Sequence, residues 1–468
     1  MALPTQQLRW QIPASIQSRI KIPLLYGGDI FLFYGALCLT LFLRYGGIDV
    51  RSELFAMHIG PFTLALCIWL FIFYAGGLYD KQIFNYRTLS RRFFPLIGIG
   101  ALVLMGLFYF VPTLGIAPKA NLFIFLLIYA VTGYSWRMLF IAALRWRSGI
   151  TANRVLLVGE NAAADEIVAY TTEHPQFGYQ IGLWLKHGLR GGSTPEDFLQ
   201  FVTSHGIHTV VVPKNIEHDH GALRMLYYAF LSGIEVMSTA DFYEMLFDRV
   251  ALVELEDSWL IRNLPRVAKG YHLLKYLCEL AAALGLLVAT LPITVCAALA
   301  IAISSPGPIF YRQIRVGQHE QPFLLCKFRS MYASKEKNPD ADAATPTWSQ
   351  QNDPRITPVG KFLRATHIDE LPQLINIICG QMSFVGPRPE RPEFTAQLST
   401  KIPYYELRFL LKPGITGWAQ INYRYGASVD DAYQKLQYEI YYLKHRSLWL
   451  DLAIIAKTIK RIFIASAA

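Results

Sequence analysis

Charge is what this sequence has least of. Only 17% of its 468 residues are Asp, Glu, Lys or Arg, against about 25% in soluble globular chains. With 53% hydrophobic residues and a mean hydropathy of +0.29, the chain reads as a membrane protein with soluble parts. Acid is scarcer than base, 34 residues against 44, for a formal net charge of +10. That excess suits anionic lipid head groups or phosphate-bearing substrates. The basic residues are scattered and no nucleic-acid-binding motif is present, so nucleic acid is not an expected partner. Cysteine is sparse as well. Cys38, Cys67, Cys278, Cys296, Cys326 and Cys379 form no C-x-x-C pair, and four lie inside apolar runs. This argues against a disulfide framework or a zinc site and for buried small hydrophobes. The N-terminus lacks the features of a cleavable signal peptide: its first apolar run starts near Ile22 and is too long for one.

Four apolar segments fill the first third, roughly Leu24–Leu43, Pro61–Gly77, Phe93–Val111 and Asn121–Trp136. Each approaches the ~20 residues that cross a hydrocarbon core, with aromatic residues at the ends. Base outweighs acid before the first (Arg9, Arg19, Lys21), between the second and third (Lys81, Arg87, Arg91, Arg92 against Asp80) and after the fourth (Arg145, Arg147, Arg154). The positive-inside rule then puts the N-terminus and everything after Trp146 in the cytoplasm. Asp29 is the only acid within these runs and is weak evidence of transport.

Strand-like Val155–Gly159 leads into an Ala-rich helix, Ala162–Tyr170, and Thr209–Pro213 is a second buried strand candidate. The alternation predicts a small Rossmann-like α/β module over 151–255. A dinucleotide fingerprint needs G-x-G-x-x-G, and only Gly159 is there, with Asn161 and Ala164 in the other two places. A module without cofactor is the expectation; an oxidoreductase or epimerase acting through Val155–Gly159 is the competing one.

Leu277–Ile303 is a further apolar run, interrupted by Pro292. Basic residues flank both sides: Arg262, Arg266, Lys269 and Lys275 before, Arg312 and Arg315 after. A helix that dips into the membrane and returns keeps both flanks on one side. Beyond it the chain turns polar and rich in turns. Lys327–Met331, Asn352–Gly360, Arg364–Leu374, Ser383–Glu390 and Lys412–Asn422 follow in order. Pro372 suits a first helical turn, with Leu371, Leu374, Ile375 and Ile378 as its apolar face. Asp369 and Glu370 then stand at a helix N-terminus, where anions are favoured. By itself such a pair is usually a cap, but Arg364, Lys327, Arg329, Arg388 and Arg391 nearby in sequence match phosphate recognition. Each of the last four is equally an ordinary salt-bridge partner. The stretch Ala333–Gln351 fits a cover over the site or a plain linker. Leu448–Phe463, with Leu452, Ile455 and Ile462 beside Trp449, Lys457, Lys460 and Arg461, fits an amphipathic helix on the membrane or a packed core helix.

On these motifs Tyr271–Phe463 resembles the bacterial sugar transferase domain of the monotopic phosphoglycosyl transferases. The preceding runs, with Arg388–Phe394 and Tyr425–Ser428, resemble the larger polyprenyl-phosphate hexose-1-phosphate transferases of exopolysaccharide loci. The family breaks its re-entrant helix at Ser-Pro; this chain has Leu291-Pro292. The resemblance implies a four-span helical region (1–150), the α/β module (151–255) and a mostly α-helical monotopic catalytic domain (265–468) with a re-entrant helix at about 272–304. It further implies a UDP-sugar donor, undecaprenyl phosphate as acceptor, Mg²⁺ held with Asp369, and UMP as product. Asp369 would be the nucleophile and Glu370 its partner. Arg364, Lys327, Arg329, Arg388 and Arg391 would bind substrate. A homodimer in the bacterial inner membrane, with the site facing the cytoplasm, is implied as well. A non-catalytic scaffold of a polysaccharide assembly system is the alternative. Glucose, galactose and N-acetylated hexoses all stay open as the sugar.

Overall fold

A computed structural model describes residues 14–46, 53–79, 86–110, 119–150, 153–175, 178–189, 194–255, 269–332, 355–423, 426 and 428–465. The stretch Ala333–Gln351, the flanking Arg262 and Arg266, all of Asn352–Pro354, and Tyr425 and Ala427 lie outside these residues. The chain divides into two compact units, 1–242 and 243–468.

The first unit opens with α1 (Ala14–Tyr45), α2 (Glu53–Ala75), α3 (Tyr86–Phe110) and α4 (Lys119–Ile150). Each carries a stretch long and apolar enough to cross a membrane. Each helix begins before its apolar run, and α2 continues through Pro61, where the expected run started, as α3 does through Pro95; packing against neighbouring helices tolerates such breaks in apolar surroundings. Their shared core is aromatic, with Phe33, Phe62, Trp69, Phe73, Phe93, Phe125 and Tyr129 all sealed from solvent. Outward faces carry Phe31, Leu102, Tyr109, Phe110 and Phe123, an arrangement suited to lipid. Asp29 is not alone: Arg137 Nη2 lies 2.6 Å from its Oδ2, and the Tyr79 hydroxyl donates to the same oxygen at 2.7 Å. The guanidinium lies over the Phe73 ring, 4.7 Å from its centre.

The same unit then forms β1 (Asn153–Val158), α5 (Ala162–Glu173), β2 (Tyr179–Leu185), α6 (Pro195–Ser204), β3 (Ile207–Val212), α7 (His220–Leu231) and β4 (Glu235–Ser238), and enters α8 (Thr239–Phe247). The strands make one parallel sheet in the order β2-β1-β3-β4. β2 and β4 escape a pattern reading because β2 is interrupted by Gly182 and β4 is four half-buried residues. Gly159 takes φ +89° at the end of β1, its carbonyl bonded by Trp184 Nε1. Asn161 caps α5, its Oδ1 accepting from Ala164 N.

The second unit begins inside α8, so residues 243–255, expected with the α/β module, pack elsewhere: Val250, Leu252 and Leu255 are buried among Phe394, Tyr405, Leu436 and Ile440. Next come α9 (Lys269–Ala289) and α10 (Leu291–Ser304), separated at Thr290 with Pro292 in the first turn of the second. The hairpin β5 (Phe310–Val316) and β6 (Pro322–Phe328) follows. Ala283 and Leu287 of α9 pack on Phe323 and Leu325, whereas Ala297 and Ile301 of α10 pack on Phe328. Both limbs of the apolar helix pair thus rest on β6. The rest is α11 (Pro358–Ala365), α12 (Gln373–Ile378), β7 (Ser383–Val385), α13 (Pro392–Ser399), β8 (Gly414–Thr416), α14 (Trp418–Asn422), α15 (Val429–His445) and α16 (Leu448–Ala465). β7 and β8 pair in parallel. In α16, Ile454 and Ala456 are buried while Trp449 and Leu452 are exposed, so this helix has both a core face and an apolar outer face. The side chains of Lys460 and Ile462 lie outside the described residues.

Candidate active site

Asp369 and Glu370 sit in a single 3₁₀ turn, Ile368–Glu370, between α11 and α12. Thr357 starts α11 by accepting from Gly360 N, and Gly360 packs directly on strand-end backbone. A Cβ there would lie 2.0 Å from Ser330 O, so only glycine permits the approach. α11 ends at Ala365, and two residues on His367 takes a left-handed φ of +55°, a conformation L side chains rarely adopt. That reversal turns the chain sharply and presents the two acids.

The helix that follows differs from the expectation. It starts at Gln373 and spans six residues, so the acids precede it by a turn and its dipole is small. Its buried face is Gln373, Leu374, Asn376 and Ile377; Ile375 is exposed, and Leu371 and Ile378 are half-buried. Asn376 explains the rotation. Its side chain accepts from Cys326 N at 3.2 Å and donates to Leu324 O at 2.9 Å, tying the helix to β6. A hydrophobicity count cannot anticipate a buried asparagine that pairs with strand backbone.

Charge at the turn comes from side chains. Lys327 Nζ and Arg388 Nη2 both reach Glu370 Oε1, at 2.8 and 3.1 Å. Burial alone would raise the Glu370 carboxyl, but Arg388 and Lys327 overcome it and hold it at about 2. Asp369 shifts the other way: burial first, then the charge of Glu370, raise it above its ordinary value, against the pull of Lys327 and Arg364. Among the described residues none hydrogen-bonds to or ion-pairs with the Asp369 carboxylate, although its side chain is mostly buried. One acid is paired with two cations; its neighbour is held beside them with its oxygens uncommitted among the described residues.

The other expected residues separate. Arg364 donates from Nε to Ser330 Oγ at 2.8 Å, leaving its charge near Asp369. Arg329 is buried and bonds to Ser305 O, Ser305 Oγ and Pro306 O, closing the C-terminal end of α10. It is a helix cap here, not an open phosphate ligand. Arg391 pairs with Glu393 at 3.3 Å and lies over Phe394. Arg388, by contrast, is 36% exposed at its side chain, within reach of a ligand.

Sequence reasoning missed what holds Arg388. Arg408 and Glu439 form a buried pair at 3.0 Å, and Arg408 Nη2 also bonds the Arg388 carbonyl. Arg315 donates to Pro389 O at 3.1 Å. Just upstream, Gly386 passes so close to β8 that a Cβ would lie 2.1 Å from Lys412 O. The glycines of Ser383–Glu390 and Lys412–Asn422 were the available signal for this crossing.

A family described as bacterial sugar transferase matches residues 270–465, which takes in every element around the acidic turn. Against a UDP-N-acetylgalactosamine-undecaprenyl-phosphate N-acetylgalactosaminephosphotransferase of Aeromonas hydrophila, the chain is 37% identical over 51% of its own length and 55% of that protein's. A UDP-glucose:undecaprenyl-phosphate glucose-1-phosphate transferase of Caulobacter vibrioides is 41% identical, over 42% of this chain and 71% of the relative. One of the same name from Escherichia coli K12 is 29% identical over 68% and 70%. The chain therefore belongs to the bacterial sugar transferase family, and its apolar helices make it a membrane protein. It spans about half the length of the Aeromonas relative.

Proposed function

We propose that this protein transfers a hexose-1-phosphate from a UDP-sugar to undecaprenyl phosphate, releasing UMP and starting exopolysaccharide repeat-unit assembly. The observation that carries the reading is the unequal acid pair: Glu370 neutralised by Lys327 and Arg388, Asp369 buried beside them and uncommitted. A carboxylate so placed is a nucleophile toward phosphorus, and splitting the transfer in two lowers each barrier. An Asp369 oxygen attacks the sugar-proximal phosphorus. The bond from that phosphorus to the bridging oxygen breaks, and UMP leaves with the oxygen and its electron pair. The aspartyl phospho-sugar is then attacked by an oxygen of undecaprenyl phosphate, which restores the Asp369 carboxylate and forms the polyprenyl diphosphate sugar. Arg388 and Lys327 orient Glu370 and steady the charge that develops on phosphate oxygens. Arg364 steadies the ionised form of Asp369 from the end of α11.

Mg²⁺ fits the donor set. Among the described residues there is no group of three or more His, Cys, Asp or Glu to cage a metal. Asp369 offers hard oxygen, and Mg²⁺ commonly binds through one or two carboxylates plus substrate phosphates. When bound there it would neutralise the diphosphate.

Several wider features belong to the same proposal. α1–α4 are four spans, the parallel α/β sheet is a Rossmann-like module, and α9–α10 form a re-entrant pair bent at Pro292. The site faces the cytoplasm at a bacterial inner membrane, and the protein acts as a homodimer. The bend at Thr290 and the contact of both limbs with β6 support re-entry. The relatives' names divide between glucose and N-acetylgalactosamine, so the donor is assigned by experiment.

The test is UMP release by the full chain in detergent with Mg²⁺, undecaprenyl phosphate and a panel of UDP-sugars, alongside Asp369→Asn. Without the acceptor, the wild type should gain the mass of one sugar phosphate at Asp369. UMP release with no covalent adduct and an active Asp369→Asn would refute the two-step route. A folded protein that releases no UMP with any donor favours the scaffold.

A further inference from the structure

The two cations that meet on Glu370 hang from different strands, and polar side chains tie each strand to a different limb of the apolar helix pair. Lys327 belongs to β6. Two residues on, Arg329 makes three hydrogen bonds of 2.7 to 3.0 Å to the Ser305-Pro306 end of α10. Arg388 follows β7 by three residues, and β7 is gripped by α9. Glu279 accepts from Ser383 Oγ at 2.5 Å and from Phe384 N at 3.2 Å. One turn earlier, Lys275 ion-pairs with Asp451 at 2.9 Å and donates to Val385 O at 3.4 Å. Glu279 is the one acid in the 21 residues of α9. An ionisable group in so apolar a helix is costly and is kept where it has work to do.

We infer that Glu279 and Arg329 are positioning residues: they fix β7 and β6 to the two limbs of the helix pair and so set the spacing of Arg388 and Lys327 about Glu370. Neither residue bonds to the acids. They act through strand backbone, held by charge-assisted bonds that resist sliding better than apolar contacts do. Because α9 and α10 expose Leu273, Leu277, Val288, Leu299 and Ile303 to their surroundings, the way the pair is seated in lipid is passed to the acidic turn through these two side chains. Displacement of a reacting group by about 1 Å costs roughly 100-fold in rate, so small changes in the limbs matter.

This inference rests on the proposed transferase activity, and its test separates the two. The full chain is placed in lipid nanodiscs and kcat and KM for the UDP-sugar are measured for wild type, Glu279→Leu, Glu279→Gln, Arg329→Met and Arg329→Lys, with thermal unfolding of each. Expected are kcat losses of about 10- to 100-fold in Glu279→Leu and Arg329→Met with KM changed less than about threefold. Glu279→Gln, whose carbonyl still accepts both bonds, should recover most of kcat. Should Glu279→Leu not fold, the Arg329→Met and Arg329→Lys pair decides alone. Wild-type kcat in folded Leu and Met variants overturns the inference. So does a Gln variant as slow as Leu, since the accepted bonds would then be irrelevant. A wild type without UMP release fails the transferase reading first.

Discussion

Asp29 in the helical bundle and Asp369 in the acidic turn are both carboxylates withdrawn from water beside arginine, and they are provided for in opposite ways. Asp29 receives Arg137 and Tyr79 on one oxygen, within a bundle core of buried aromatic side chains. Its charge is answered inside the bundle, as a buried ion must be. At the turn, two cations are spent on Glu370, and Asp369 gets only their field. A direct ion pair makes a clamp between α1 and α4, although Asp29 Oδ1 has no hydrogen-bond partner among the described residues; at the turn the direct pairs go to the neighbouring acid and leave Asp369 beside them. The lesson is that burial of an acid does not identify chemistry, whereas an uneven sharing of counter-charge does.

Experiments can break that contrast. Asp369→Asn should lower UMP release by on the order of 10⁴-fold or more, as loss of a nucleophile does, with unfolding unchanged or shifted slightly upward. Activity that survives would place Asp369 with the structural acids. Arg137→Ala strands Asp29 and should destabilise the bundle by about 3–5 kcal/mol, read as a lower unfolding midpoint in detergent. Joint replacement of Asp29 and Arg137 by leucine should restore much of it. Equal losses in the single and double variants would show that the pair is not a clamp.

Acid separates Glu370 from Asp369. The folded Glu370 carboxyl, at about 2 against an ordinary 4.5, binds its proton less readily than the unfolded chain does. Its contribution is complete above pH 4.5 and is lost as pH falls from 4.5 toward 2, on the order of 3 kcal/mol. Asp369 is raised, so the folded chain takes up its proton more readily; ionising it costs stability as pH rises through its folded value. The acid limb of kcat/KM should therefore lie above the ordinary Asp range, and Glu370→Gln should move it. A limb that stays in place after Glu370→Gln would uncouple the two acids.

A smaller effect tests the scaffold under Arg388. Gly386→Ala forces β7 off β8 and should cost about 1–3 kcal/mol, with a fall in kcat, monitored by denaturant unfolding and UMP release. The smallest effect belongs to the α/β module, where Lys186–Glu160 is an exposed pair. Lys186→Ala should leave the unfolding midpoint unmoved in salt titration.

Much of the site was legible because its signals are local. The Asp369-Glu370 pair, the proline break at Pro292 and the apolar length of the first four runs are each read within a few residues. Lys327, Arg364 and Arg388 were nameable as cations but not as distinct parts. Sequence proximity cannot tell Arg388, which reaches Glu370, from Arg391 three residues further on, which turns to Glu393. The helix after the acids was misjudged in phase because Asn376 is buried by hydrogen bonds to β6, and a polar residue in a core leaves no hydrophobic trace.

By itself the sequence determined that the chain is membrane-bound, where its apolar helices run and which acidic pair lies among basic residues. Hydropathy and local motifs depend on neighbours in the chain, so one dimension suffices for them. Only the tertiary structure decided that Arg329 caps a helix, that Asp29 is paired, and that Glu370 takes both Lys327 and Arg388 while Asp369, among the described residues, takes none. Those outcomes depend on which groups meet across tens to hundreds of residues, as Asp29 and Arg137 do across 108 positions. At such separations ion pairing is chosen by packing geometry, and no pattern in the sequence records it.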